Sequence, residues 1–166
     1  MKAIVAVSKD WGIGKDNQLL FSIPEDLKFF REKTRGNVII VGRKTLESFP
    51  GGKPLPNRTN IVLTSDRKYE CEGADIVHST EELICLLSER KYDRDKVYVA
   101  GGGSVYSELL LFTDVVYVTK VFAEKEADTY FPNLDEYEDW EIASSSEDRE
   151  FEGIRFRFDT YVKQKQ

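Results

Sequence analysis

Cysteine is scarce in this chain of 166 residues: only Cys71 and Cys85 occur, without CxxC spacing and without a histidine cluster beside them. That excludes a disulfide framework and a thiolate metal site, so no metal is expected and both read as inert thiols. Histidine is scarcer still. His78 stands alone at the end of the apolar run ADIV, ahead of a helix cap at Ser79 or Thr80, and reads as structural. Glycine (11) and proline (5) are too few for a disordered or low-complexity chain. No apolar run approaches membrane-spanning length, and MKAIVAV is too short for a signal-peptide core, so a cytoplasmic protein is expected. Positive charge is in deficit: the net charge is −6 and the pI near 5.0, which argues against nucleic acid or an anionic membrane as partner.

What is present is 40% hydrophobic and 33% charged residues, the balance of a globular protein, and a length that fits one domain over residues 1–166. Apolar β-branched runs alternate with helical patterns. AIVAV (3–7), VIIVG (38–42), NIVLT (60–64), ADIV (74–77) and KVYVA (96–100) read as strands. Helices are expected from about Pro24 to Lys33, from RKTLESF, over 79–90, and directly after the triple glycine at 101–103. VVYVTKVF (115–122), WEIASSS and RFRFDTYV (155–162) alternate as half-buried antiparallel strands do. The order implies an α/β fold whose mixed sheet is mainly parallel, with antiparallel strands at its C-terminal edge.

In such sheets ligands bind beyond the C-terminal ends of the strands. After VIIV come Gly42, Arg43, Lys44 and Thr45, two cations at a helix start. After KVYVA come Gly101, Gly102, Gly103 and Ser104, where absent side chains let a ligand approach the backbone. Ser65 and Arg67 follow a third strand. Each feature alone is weak; together they suggest a dinucleotide, with enough cations for a 2′-phosphate and therefore NADP rather than NAD. Residues 8–21 read as a loop with glycine hinges at Gly12 and Gly14, suited to a flap.

The stretch SIPEDLKFF (22–30) carries a capping-box pattern from Ser22 to Glu25 and an apolar stripe of Ile23, Leu27 and Phe30. Asp26 lies three residues before Phe29 and four before Phe30, so its carboxylate leans toward that stripe. It either complements the helix dipole or handles protons at an apolar wall. GGKPLPNRTN (51–60) offers Leu55 and the forked guanidinium of Arg58 to a carboxylate.

IVAV, GIGKDNQLLFSIPEDLKFF, VIIVGRKTLESFPGGKPLPNRTNIVLTS, VYVAGGGSVY, YVTKV and ADTYFP, in this order and spacing, resemble bacterial dihydrofolate reductase over essentially the whole chain. The resemblance implies an eight-stranded mixed sheet flanked by about four helices, and NADPH-dependent reduction of 7,8-dihydrofolate to tetrahydrofolate; small size and the lack of a long apolar surface stripe make a monomer the expectation. It implies that Asp26 binds the pterin's aminopyrimidine edge and promotes protonation of N5, with Thr119 sharing a hydrogen bond and Phe21 nearby. Carbonyls of Ile4 and Ala100 would meet the pterin amino group beside Val5. Leu27, Phe30, Phe49 and Leu55 would pack the rings, and Arg58 would hold the glutamate α-carboxylate.

For NADPH it implies Ala6, Ile13, Gly14, Leu19, Ala100 and Tyr106 about the nicotinamide. Gly42, Lys44, Thr45, Gly102, Gly103, Ser104 and Val105 would take the diphosphate. Arg43, Leu63, Thr64, Ser65 and Arg67 would take the adenosine end. Antifolates such as methotrexate or trimethoprim would share the substrate site.

Two positions depart from the family pattern. Leu20 and Phe21 replace the usual Pro-Trp, and phenylalanine lacks the indole N–H that would hold a water near the carboxylate. Ala100 stands where a larger aliphatic residue is usual. A pyrimidine reductase of riboflavin synthesis shares this fold, but its substrate carries no glutamate and leaves the pairing of Asp26 with Arg58 unexplained. A non-catalytic nucleotide-binding module would leave Asp26, Thr119 and KPLPNR without purpose.

Overall fold

The computed structural model describes residues 1–164. Its main sheet is built from β1 (Lys2–Val7), β4 (Val38–Gly42), β5 (Thr59–Leu63), β6 (Ala74–Val77), β7 (Val97–Gly101), β8 (Val115–Val121), β10 (Trp140–Ser145) and β12 (Ile154–Lys163). These eight run in the order β10-β12-β8-β1-β7-β4-β5-β6, and a short β11 (Arg149–Phe151) pairs with β12. From β8 to β6 every neighbouring pair is parallel, whereas β12 meets both β8 and β10 antiparallel. The expected mixed sheet with an antiparallel C-terminal edge is therefore present, flanked by α1 (Pro24–Thr34), α2 (Arg43–Glu47), α3 (Thr80–Glu89) and α4 (Gly103–Leu109).

Strand alternation sorts the core into two layers. On one face Ile4, Ile39 and Tyr98 pack with Phe29 and Phe30 of α1, while Val41 and Val62 cover Leu46 of α2. On the other face Val5, Val38, Ile40 and Val99 pack against Leu83 and Leu87 of α3 and Leu109 of α4. Ile39, Ile40, Leu46 and Leu87 are fully buried, and each such aliphatic side chain contributes about 1.5–3 kcal/mol by leaving water. Because β4 is covered on both sides it reads as an unbroken apolar run, VIIV.

Two local expectations are corrected. Ser22 does not cap α1: it is exposed, and Ile23 takes the cap position with no side-chain cap bond. The cause is Pro24, which fixes its own φ for the first helical turn and holds the preceding residue extended, here at φ −109 and ψ 118. The capping box is displaced by one residue and does not form. The expected Ser79 cap does form, accepting from the N–H of Glu82.

Residues 8–21 are not a simple loop. β2 (Gly12–Lys15) and β3 (Gln18–Leu19) form a hairpin, and β9 (Thr129–Tyr130) adds a third strand. Asp16 and Asn17, at φ 51 and 62, make the two-residue turn, since short polar side chains tolerate the left-handed conformation that such tight hairpins need. Gly12 is required by packing: a Cβ there would lie 2.7 Å from Cβ of Ala127.

Candidate active site

The chain order places a switch point at the centre of the sheet, because β7 inserts between β1 and β4 after the chain has passed on to β5 and β6. The C-terminal ends of β1, β4, β5, β7 and β8 consequently face one region, toward which many but not all of the sequence-predicted residues lie.

Asp26 lies in the first turn of α1. Its Oδ1 accepts a 2.6 Å hydrogen bond from the Thr119 hydroxyl on β8. Thr119 is 1% exposed and Asp26 half-buried. Burial pushes the carboxyl above its ordinary value of 3.8, and the Thr119 hydrogen bond opposes that by favouring the charged form. Of these two effects desolvation is the larger.

Beside this acid stands an apolar wall in which Phe30, Phe49, Leu55 and Ala100 are partly exposed over buried Ile4, Ile39 and Tyr98. Val5 is buried in the opposite layer. Leu27 is 39% exposed and lies outside the cluster. Phe21 packs with Ile23, Val121 and Phe156 in a separate group. The Ile4 carbonyl already accepts a 2.6 Å bond from the buried Tyr106 hydroxyl, whose pKa is driven well up by desolvation and then by the charge of Asp26.

Arg58 borders the same wall with its guanidinium 5.8 Å from the Phe30 ring centre. Its Nε donates to Thr34 Oγ1 at 2.8 Å and an Nη to the Pro56 carbonyl at 2.7 Å, while Thr34 donates in turn to the Phe30 carbonyl at 2.7 Å. Burial, then the charges of Arg35 and Arg31, lower its pKa; a guanidinium nonetheless stays charged. Asn60, 2% exposed, braces the loop by bonding the N–H and carbonyl of Leu55 and the carbonyl of Arg58.

Sequence reasoning missed both Thr34 and Asn60. An asparagine inside an apolar strand was the available signal, because that residue is depleted in strands unless its amide has partners. Thr34 gave none, since its role depends on a residue 24 positions away.

The glycine strip supplies a second surface. Gly101 sits at φ 129, open to glycine alone, and the Gly101–Gly102 peptide is cis. A Cβ on Gly102 would come 3.2 Å from Thr45 Oγ1, one on Gly42 3.2 Å from Val105, and one on Gly103 2.5 Å from Cγ2 of Thr129. Bare backbone therefore lies between α2, α4 and the hairpin. The helices here have five and seven residues, so free first-turn N–H groups, more than a macrodipole, face this strip.

Lys44 and Ser104 are exposed, and Arg43 pairs with Glu47 at 3.1 Å. Ser65 and Arg67 are exposed beyond buried Leu63 and half-buried Thr64. Ala6 aligns with Thr119 across β1 and β8. Ile13 Cδ1 is 4.0 Å from the Gly103 Cβ position. Gly14 pairs with Leu19, which is 70% exposed. Asn17 at the hairpin tip donates to the Lys44 carbonyl at 3.2 Å, and Asp128 accepts from the Asp16 N–H at 3.0 Å. Among the described residues no group of three or more potential metal ligands occurs, and no helix is long and apolar enough to cross a membrane.

The family model described as dihydrofolate reductase matches residues 1–163. The chain belongs to the dihydrofolate reductase family. A dihydrofolate reductase of Staphylococcus aureus strain Mu50 is 41% identical over 135 residues, 81% of this chain and 79% of the relative. That of Bacillus subtilis strain 168 is 40% identical over 144 residues, 87% and 82% of the two chains. A solved dihydrofolate reductase from Enterococcus faecalis, complexed with NADP(H) and RAB-propyl, superposes with a TM-score of 0.87 at 38% identity, covering 99% of this chain and 96% of that one.

Proposed function

We propose that this protein reduces 7,8-dihydrofolate to 5,6,7,8-tetrahydrofolate with NADPH, with Asp26 as its proton-handling group. The observation that carries the reading is the carboxyl held by Thr119 at the edge of a partly exposed aromatic wall, next to a strip of bare glycine backbone.

The residues present fit a dinucleotide. Gly102, Gly103 and Gly42 leave a cradle that any side chain would fill, and Lys44, Thr45, Ser104 and the Val105 N–H supply donors for a diphosphate. Arg43, Ser65 and Arg67 suit the 2′-phosphate. Ala6, Ile13, Gly14, Leu19 and Tyr106 border the nicotinamide, with Leu63 and Thr64 at the adenosine end. NADPH supplies the hydride that reaches C6 of the pterin.

The chain's own groups orient and polarise. Asp26 and Thr119 hold the aminopyrimidine edge, and the raised carboxyl pKa keeps a proton at that edge closer to neutral pH, favouring uptake at N5. Phe30, Phe49, Leu55 and Leu27 flank the rings, the Ile4 and Ala100 carbonyls face the amino group near Val5, and Phe21 lies behind. Arg58, already aimed by Thr34 and Pro56, forks onto the glutamate α-carboxylate. Methotrexate and trimethoprim compete for the same surface. The chain's small size favours a monomer, and two free thiols fit a reducing, cytoplasmic setting.

The test is NADPH oxidation on adding dihydrofolate to purified protein, followed by NADPH absorbance. Turnover is expected in wild type and a loss of about 10²–10⁴ in Asp26→Asn at neutral pH. Undiminished turnover in that variant would remove Asp26 from its role.

A further inference from the structure

We propose that Lys120 is a positioning residue for cofactor binding, holding Trp11, and through it the β2 hairpin, in a charged and aromatic cage on the face of the sheet opposite Asp26. Lys120 follows Thr119 on β8, so strand alternation sends the two side chains to opposite faces. Thr119 meets Asp26; Lys120 meets Trp11. Its Nζ lies 5.6 Å from the Trp11 ring centre and 5.1 Å from that of Tyr161.

The cation is anchored from the far side. Asp135 stands 3.2 Å from Nζ and Asp159, whose side chain is wholly buried, 3.6 Å. Tyr161 donates to the other oxygen of Asp135 at 2.6 Å, and Arg157, directly opposite Lys120 on β12, pairs with Asp159 at 2.9 Å. Two cations on adjacent strands would repel; two carboxylates offset them, leaving a neutral cluster with one open side, against the indole.

Trp11 is 4% exposed and sits at φ 64, a backbone region that bulky residues rarely adopt, so its surroundings must hold it there. It precedes Gly12, the first residue of the hairpin, and its carbonyl accepts from the N–H of Phe131, just after β9. Its ring stacks on Phe131 at 6.1 Å, and Phe131 meets Tyr106 edge-on at 4.9 Å. The strands that Trp11 joins pass over Gly103, where Ile13 and Thr129 are the near neighbours. This inference rests on the reading of Gly103 as part of the cofactor surface. The aromatic wall beside Asp26 has no member in the cage, so the two ligands should respond differently.

Trp11 also provides the readout, because the chain has two tryptophans and a Trp140→Phe background isolates it. In that background Lys120→Met, which keeps the stem and removes the charge, is expected to change Trp11 emission and to raise the KM for NADPH about tenfold. The KM for dihydrofolate should stay within about twofold, and Lys120→Arg should restore both signals. Leu87→Ala, a cavity in α3 away from the cage, controls for lost stability: its melting temperature should fall with both KM values unchanged.

An NADPH KM unaltered in Lys120→Met overturns the proposal, as does a rise shared equally by both substrates or reproduced by Leu87→Ala. Wild-type protein that oxidises no NADPH in the presence of dihydrofolate would count against the functional reading itself, whatever Lys120 does to Trp11 emission.

Discussion

The Thr119 hydroxyl donates to Asp26 at 2.6 Å across 93 residues of chain, tying β8 to α1 at the edge of the aromatic wall. This bond stabilises the carboxylate, whereas burial disfavours it, and burial prevails. Thr119→Val keeps the shape and removes the donor, so the Asp26 pKa should rise further. The limb of the kcat profile that falls toward alkaline pH is expected to shift to higher pH in Thr119→Val and to stay in place in Thr119→Ser. Superimposable profiles for Val and wild type would show that the hydroxyl does not tune the acid.

The same raised pKa makes Asp26 a cost to stability. Its folded value exceeds the ordinary 3.8, so between the two values the native state binds more protons than the unfolded chain. Stability from this group is therefore lost as pH climbs through that window and stays low above it. Asp26→Asn, which still accepts from Thr119, should melt above wild type at neutral pH. The difference should vanish on acidification below about pH 3.5, where both states of the wild type are protonated. A variant less stable than wild type at pH 7 would contradict this sign.

Tyr106 fixes α4 to β1 through the Ile4 carbonyl at 2.6 Å. A ligand amino group reaching that carbonyl must share it. Tyr106→Phe should cost about 1 kcal/mol of stability by deleting a buried hydrogen bond. It should also tighten diaminopyrimidine antifolates, which bring an additional amino group, by roughly five- to tenfold. Calorimetric titration with trimethoprim checks this, and equal affinities would show that the carbonyl serves both donors without competition.

The guanidinium of Arg58 is aimed by a buried threonine. Arg58→Leu should raise the dihydrofolate KM at least tenfold with little effect on NADPH. Thr34→Val, which removes both the acceptor for Nε and the bond to Phe30, should raise it about three- to tenfold. Equal weakening of both substrates would place the glutamate tail elsewhere.

What could be read in the sequence followed from how local each feature is. β4 was legible because a strand buried on both faces is an apolar run, and α3 because Ser79, its early acids and its leucines lie within one segment. Asp26 stood out because a charge on an apolar stripe demands a reason. The β2 hairpin was missed although Asp16-Asn17 is a usable turn signal, because its third strand comes from residues 129–130. The capping box failed for a local reason, the constraint of Pro24 on Ile23. Thr34 and Lys120 carried no signal: each acts through partners that only the folded chain brings near.

Gly103 shows how closely the hairpin and the glycine strip are fitted. A Cβ there would lie 2.5 Å from Cγ2 of Thr129 and 3.6 Å from the Tyr130 carbonyl, so β9 has to move outward to admit even one methyl. Such a shift would lift Ile13 as well, 4.0 Å from the same point. Gly103→Ala is therefore expected to weaken NADPH by about tenfold or more while leaving dihydrofolate binding near wild type. Thr129→Ser deletes the obstructing methyl, so the double variant should recover part of the loss, with a coupling of about 1 kcal/mol in a double-mutant cycle. Strict additivity would mean that the methyl harms cofactor binding by contact with the ligand itself and not by displacing the strand above it.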